Sequence, residues 1–311
     1  MLEIKNLTKT YGKFKALDGL SLSIDAAELH GFVGPNGAGK TTTMRILATL
    51  LKPNGGSATI DGVDVLRHRK RVRTLIGYMP DFFGVYDSLK TWEYLDMYAR
   101  CYALNHKQRA QMIDKLLDLV RLLDKKQAYV DTLSRGMKQR LCLARSLIHD
   151  PKLLILDEPA SGMDPRARAE MKDILRTLKD IGKTVLISSH ILPELSEVCD
   201  SLTIIDHGKL VFSGSVDALD ARMNGDAPII LRLMPDCGER EIARTVALLR
   251  EYPGISGIEM QDESALSIKL PGSQLEAAQL LQKLMREELP VCDFHRVPMN
   301  LEKVFMEVTT E

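Results

Sequence analysis

Apolar and polar residues alternate over residues 2–7 and 20–24, the period of half-buried antiparallel strands, around a turn region at 11–15. A small β-layer is therefore predicted to open the chain. Residues 29–33 form a short apolar run that ends in a glycine-rich turn, and residues 41–51 carry helical spacing without breakers. The pattern reads strand, loop, helix. From 86 to 149 it changes to long helical periodicity, as in Met112, Leu116, Leu119 and Leu123, which predicts a helical insertion. Strand character returns at 153–156, 184–188 and 202–205, with helices expected over about 165–181 and 192–199. Strands alternating with helices predict a parallel α/β core.

A polar, turn-forming stretch with Asn224, Gly225, Asp226 and Pro228 follows Leu219, and a second pattern begins beyond it. The expected domains are thus 1–219 and 226–311. The second reads strand 229–233, helix 239–251, strands 255–260 and 266–270, helix 274–288 and strand 291–297. That β-α-β-β-α-β order predicts a small α+β, ferredoxin-like module. Residues 300–308 place Leu301, Val304, Phe305 and Val308 on one helical face behind Asn300, a helix expected to dock on a neighbouring domain.

Composition narrows the function classes. The 42 Lys and Arg balance 42 Asp and Glu, so no net field recruits nucleic acid, and none is expected as partner. The five cysteines are scattered without a C-x-x-C pair and read as reduced packing residues. No apolar run reaches the length of a membrane-spanning helix and the first residues lack a signal-peptide pattern, which predicts a cytosolic location.

The chemistry concentrates at the turn after residue 33. Gly34, Pro35, Asn36, Gly37, Ala38, Gly39, Lys40 and Thr41 fit G-x-x-x-x-G-K-[ST] between a predicted strand and a predicted helix, with Thr42 next in that helix. Glycines let the backbone curl so that successive N–H groups converge on phosphates, Lys40 adds a point charge, and the Thr41 hydroxyl can hold Mg²⁺. Residues 153–156 lead into Asp157 and Glu158, two carboxylates at the C-terminal end of a buried strand. Taken alone, such a pair is more often a polar loop or a helix cap. Beside a P-loop, Asp157 is expected to help hold magnesium and Glu158 to orient or deprotonate the attacking water.

Tyr11, the P-loop, Leu133-Ser134-Arg135-Gly136-Met137, the 153–159 segment, Ser161 to Asp164 and His190 occur in an order that resembles the ATPases of ATP-binding cassette (ABC) transporters. The resemblance covers about residues 1–219. It implies a P-loop NTPase core, an ATPase that uses ATP and Mg²⁺, and a nucleotide-driven dimer, as a homodimer or with a paired cassette. Ser134 and Gly136 would cap the γ-phosphate held by the opposite subunit's P-loop, and His190 would contact the γ-phosphate. Tyr11 would stack on adenine, the alternative being a half-buried strand-end tyrosine. The loop ending at Asp164 would couple the two composite sites, and Asp164-Pro165 is equally an ordinary helix start.

Three positions depart from that pattern. Asp81 stands where the family usually has glutamine, and a carboxylate there could bind Mg²⁺ or repel the γ-phosphate. Arg135 replaces a signature glycine and is expected to avoid the left-handed backbone region, and Met137 replaces a glutamine. The single cassette, the small α+β tail and the short ending look like the drug, nodulation-factor and polysaccharide exporter branch. The expected role is to power an integral membrane permease, a separate chain, from the inner face of the membrane. Phe82, Phe83 and Tyr86 are either its docking surface or core. The alternative function is a non-transport ABC switch on a nucleic-acid or ribosomal partner. The C-terminal module would sense a small molecule or pack the dimer.

Overall fold

The structure, a computed structural model, describes residues 1–82, 84–102, 104–219, 227–235, 237–262, 264–270 and 274–297. Phe83, the turn residues Asn224, Gly225 and Asp226, and the expected 300–308 helix lie outside the described residues. The chain divides into two compact units, Met1–Ser215 and Val216–Glu311.

In the first unit, β1 (Leu2–Tyr11) and β2 (Phe14–Ile24) form an antiparallel hairpin, turning at Gly12 with φ 58°. Alternation buries Leu2, Ile4, Leu7, Leu20, Leu22 and Ile24 and leaves the other face to solvent. β3 (Leu29–Val33) is buried on both faces and feeds the glycine turn, from which α1 (Lys40–Leu47) departs. This helix stops earlier than the apolar spacing predicts, because Thr49 takes a left-handed φ of 63°. β4 (Gly55–Ile60) and β5 (Val63–Asp64) complete the first sheet in the order β2-β1-β4-β5.

α2 (Arg69–Leu75) leads into β6 (Ile76–Met79), and the chain then becomes helical in α3 (Thr91–Cys101), α4 (His106–Leu119) and α5 (Arg135–Leu147). β7 (Leu153–Leu156), α6 (Pro165–Asp180), β8 (Thr184–Ser189), α7 (Leu192–Ser196), β9 (Ser201–Asp206) and β10 (Lys209–Ser215) follow. The second sheet runs β10-β9-β3-β8-β7-β6, parallel throughout except for β10 on the edge. β7 therefore lies one strand away from β3, separated by β8. Their C-terminal ends point the same way, and this brings residues far apart in sequence to one edge.

The second unit contains β11 (Ile229–Leu233), a helix Glu239–Arg250, β12 (Gly257–Met260), β13 (Ala265–Lys269), a helix Gln274–Arg286 and β14 (Val291–Arg296). The sheet order is β12-β13-β11-β14 with every neighbour antiparallel. Ile229, Leu231, Leu266 and Ile268 form its core with Leu249, Leu280 and Leu284 of the two helices.

Candidate functional site

The glycine turn keeps its shape because only hydrogen fits there. A Cβ on Gly34 would lie 2.5 Å from the Ile205 carbonyl oxygen, and one on Gly39, at φ 108°, would lie 2.7 Å from that of Ala16. Lys40 opens α1 with its side chain 6% exposed, and its Nζ donates to the carbonyls of Gly34 at 2.5 Å and Pro35 at 3.2 Å. Burial pushes the Lys40 ammonium below its ordinary pKa, and the negative charge of Glu158 opposes that shift.

Two chains of contacts join the turn to the ends of β7 and β8. Lys40 Nζ lies 3.6 Å from Glu158 Oε1, and His190 Nδ1 lies 3.0 Å from Glu158 Oε2. An ionised carboxylate only accepts, so Nδ1 carries the proton in that contact. Thr41 Oγ1 donates to Asp157 Oδ1 at 3.2 Å and Ser188 Oγ donates to the same oxygen at 2.8 Å. Ser188 Oγ also accepts the Glu158 N–H at 2.9 Å. Glu158 itself has a left-handed φ of 49°, a conformation that costs a non-glycine residue about 1–2 kcal/mol.

A cleft of about 390 Å³ opens over these groups. It is lined by Tyr11, Phe14 and Ala16, by Pro35, Asn36, Gly37, Gly39, Lys40, Thr41 and Thr42, and by Asp81, Glu158, Ser161 and His190. Gly34, Ala38 and Asp157 do not line it, and Asp157 is buried at 1% exposure. Tyr11 is 48% exposed at the cleft with Lys9 Nζ 5.2 Å from its ring centroid, so it is half-buried at the strand end and still presents surface to the cleft. Phe14 and Ser188 carry no sequence signal of a site role, whereas Ser161 opens the expected coupling loop and here lines the cleft. Phe14 faces Tyr11 across the hairpin, a pairing that the turn length could have signalled.

Ser134 and Gly136 are absent from this lining. Ser134 caps α5 by accepting the Met137 N–H at 3.3 Å, and a Cβ on Gly136 would lie 2.9 Å from that of Ala167. Arg135 is helical, as expected. Its guanidinium lies where a Cβ on Gly162 would be, 2.5 Å from Arg135 Cζ. Asp164 caps α6 by accepting the Ala167 N–H at 2.9 Å. Phe82 is 92% and Tyr86 55% exposed, which removes the core reading for both.

The site fits a metal–phosphate ligand. Asp157 Oδ2 is buried with no hydrogen-bond partner, an arrangement that leaves a hard anionic oxygen for a cation beside the Thr41 hydroxyl. Among the described residues no group of three or more His, Cys, Asp or Glu could enclose a metal ion, so phosphate and water would have to complete its shell.

Burial is the main cause that pushes the Asp157 carboxyl above its ordinary value, with hydrogen bonds from Ser188 and Thr41 pulling it down. A carboxyl whose pKa is raised by folding adds stability while protonated and loses that contribution as pH rises through the folded value. The stabilising contribution of Asp157 is therefore smallest at pH values above its raised folded value. Asp157→Asn is expected to raise the thermal midpoint without nucleotide at pH 7, with the gain shrinking as pH falls through the raised value towards the ordinary one. Melting curves in a chelating buffer across pH check this, and a midpoint that drops at pH 7 contradicts it.

A family model described as ABC transporter matches residues 17–161. The chain is similar to the daunorubicin/doxorubicin resistance ATP-binding protein DrrA of Streptomyces peucetius, 35% identical over 99% of this chain and 92% of that protein. It is 34% identical to the Nod factor export ATP-binding protein I of Paraburkholderia xenovorans (strain LB400), over 99% of this chain and 96% of that protein. Among solved structures, an ATP-binding subunit of an ABC transporter superposes with a TM-score of 0.64 at 29% identity, covering 71% of this chain and 92% of that one. A dimeric ATP-binding cassette bound to ADP and Pi in a post-hydrolysis state superposes with a TM-score of 0.63 at 25% identity, covering 70% and 99%. A third of all positions kept over nearly the full length is more than a shared P-loop would require. The chain belongs to the ABC transporter family, and its first unit carries the ATP-binding domain.

Proposed function

We propose that this chain is the ATP-hydrolysing subunit of an exporter and drives a separate integral membrane permease through a nucleotide-dependent dimer. The observation that carries the reading is the convergence of Lys40, Thr41, Asp157, Glu158 and His190 on one cleft. Lys40, released from the Gly34 and Pro35 carbonyls, binds the β- and γ-phosphates with the N–H groups of the turn. Tyr11 and Phe14 flank the base. Glu158, aimed by its backbone and held between Lys40 and His190, orients the attacking water and takes its proton, and His190 contacts the γ-phosphate. Thr41 and Asp157 are the residues that would hold Mg²⁺, which neutralises phosphate charge when bound.

Ser134 and Gly136 complete the site of the other subunit, since they do not line the cleft of their own chain. A helix N-terminus offers free N–H groups and partial positive charge to that phosphate. The relatives' names, which speak of drug resistance and Nod factor export, favour export over a nucleic-acid or ribosomal switch. Among the described residues no helix is long and apolar enough to cross a membrane, so the permease would hold the chain at the cytoplasmic face. The β-α-β-β-α-β order of the second unit and its sheet order support the ferredoxin-like reading. Its role in this reading is dimer packing.

Purification of the tagged chain from its native membranes tests the assignment. A multi-spanning partner that raises its MgATPase rate is expected, and recovery with ribosomes or DNA instead would overturn it. Asp81 tunes the rate: it is exposed in the cleft and its charge adds to the cost of ionising Asp157. Asp81→Gln is therefore expected to raise turnover several-fold and change its magnesium dependence. Identical rates and magnesium curves with the permease present would remove that role.

A further inference from the structure

The chain has no net charge, yet Arg67, Arg69, Lys70, Arg71 and Arg73, with His68, fall within seven consecutive positions. All six side chains are exposed, and residues 66–71 with Arg73 line one open surface depression at α2. Of these six residues only Arg67 has an ion pair within the described residues, a loose one at 4.0 Å to Asp64. Asp61, the other nearby carboxylate, is taken at 2.7 Å by Lys152, and it also feels the charge of Arg71. Arg69 and Lys70 are four and three residues from Arg73, spacings at which like charges on a helix repel. The cluster therefore weakens its own helix, and an anionic surface would remove the repulsion.

Apolar surface adjoins the cations. Arg73 Nε donates to Thr49 Oγ1 at 2.8 Å, and the next residue, Leu50, leaves 62% of its surface exposed. Leu50 follows the C-terminal end of α1, whose eight residues span about 12 Å from the phosphate-binding turn. The patch is thus separate from the nucleotide cleft, and none of its residues lines that cleft. Cations beside an exposed leucine fit a bilayer surface, where headgroup charge and shallow apolar burial act together. Nucleic acid would use the charge without the leucine.

We infer that the α2 cluster with Leu50 is a docking surface for the anionic phospholipid headgroups of a membrane. The inference rests on the proposed membrane-side role and deepens it. Five Lys and Arg held at the cytoplasmic leaflet orient the chain under its permease and make its attachment depend on lipid charge.

Sedimentation of the full chain with vesicles tests this. Binding is expected to phosphatidylcholine–phosphatidylglycerol vesicles, to fall with salt, to be absent with phosphatidylcholine alone, and to persist in saturating ATP. Arg69→Gln/Lys70→Gln/Arg71→Gln is expected to weaken partitioning by roughly a hundredfold, at about fivefold per cation. Arg69→Lys/Arg71→Lys, which keeps the charge, should bind like wild type, and Leu50→Ser should bind more weakly. Equal binding to both vesicles, full binding by the triple Gln variant, release by ATP, or tighter capture by polyglutamate or duplex DNA would each overturn the proposal. Binding of a fluorescent ATP analogue, measured on the same variants, is expected to be unchanged. Its loss in wild type would strike the ATPase reading and leave the lipid result standing.

Discussion

Glu158→Gln is expected to lower the MgATPase rate by about 10²- to 10⁴-fold while ATP remains bound, the range typical of a lost general base. Gln keeps the size of the side chain and its contact with His190, now 3.0 Å from Oε2, but it cannot accept the proton of the attacking water. Lys40 and the turn are untouched, so binding survives and the ATP-bound dimer accumulates because the step that opens it is blocked. Single-turnover hydrolysis and size-exclusion chromatography in MgATP read the two halves separately. Undiminished turnover would remove Glu158 from the reaction. Loss of nucleotide binding would instead assign it to the phosphate cradle.

Lys40→Ala should weaken nucleotide affinity by roughly 10- to 100-fold, the equivalent of about one hydrogen bond to a charged group. The nucleotide-free protein should lose little stability. Lys40 is buried enough that its ammonium is held below its ordinary pKa, so removing it relieves a desolvation cost along with its contacts to Gly34, Pro35 and Glu158. Titration with a fluorescent nucleotide and melting curves without nucleotide measure the two effects. A large fall in the nucleotide-free midpoint with affinity intact would make Lys40 a structural residue.

Much of this architecture was legible because its signals are local. A period of two along 2–7 and 20–24, the apolar run 29–33 and the helical spacing across 86–149 depend on neighbouring residues, and so does the turn chemistry of Gly37 and Gly39, at φ 88° and 108°. β4, β5 and β10 were passed over: Gly55 and Gly56 weaken the strand pattern, β5 has two residues, and Gly214 interrupts β10. The helical spacing overruns the end of α1 because nothing local marks Thr49 as left-handed.

From the sequence alone come the chemical groups of the candidate site, the glycine turn with its lysine and hydroxyl, and the carboxylate pair after a buried strand. These follow from side-chain chemistry and near-neighbour geometry. The tertiary structure alone decided which groups meet. Thr41 reaches Asp157 across 116 residues, Ser188 reaches Asp157 across 31, and His190 reaches Glu158 across 32. Those contacts depend on the order β3-β8-β7, which no single strand encodes. The tertiary structure also left Asp157 Oδ2 buried without a partner and kept Ser134 and Gly136 out of their own cleft. Burial and pairing are properties of the assembled sheet edge, so they arise only when distant segments close on one another.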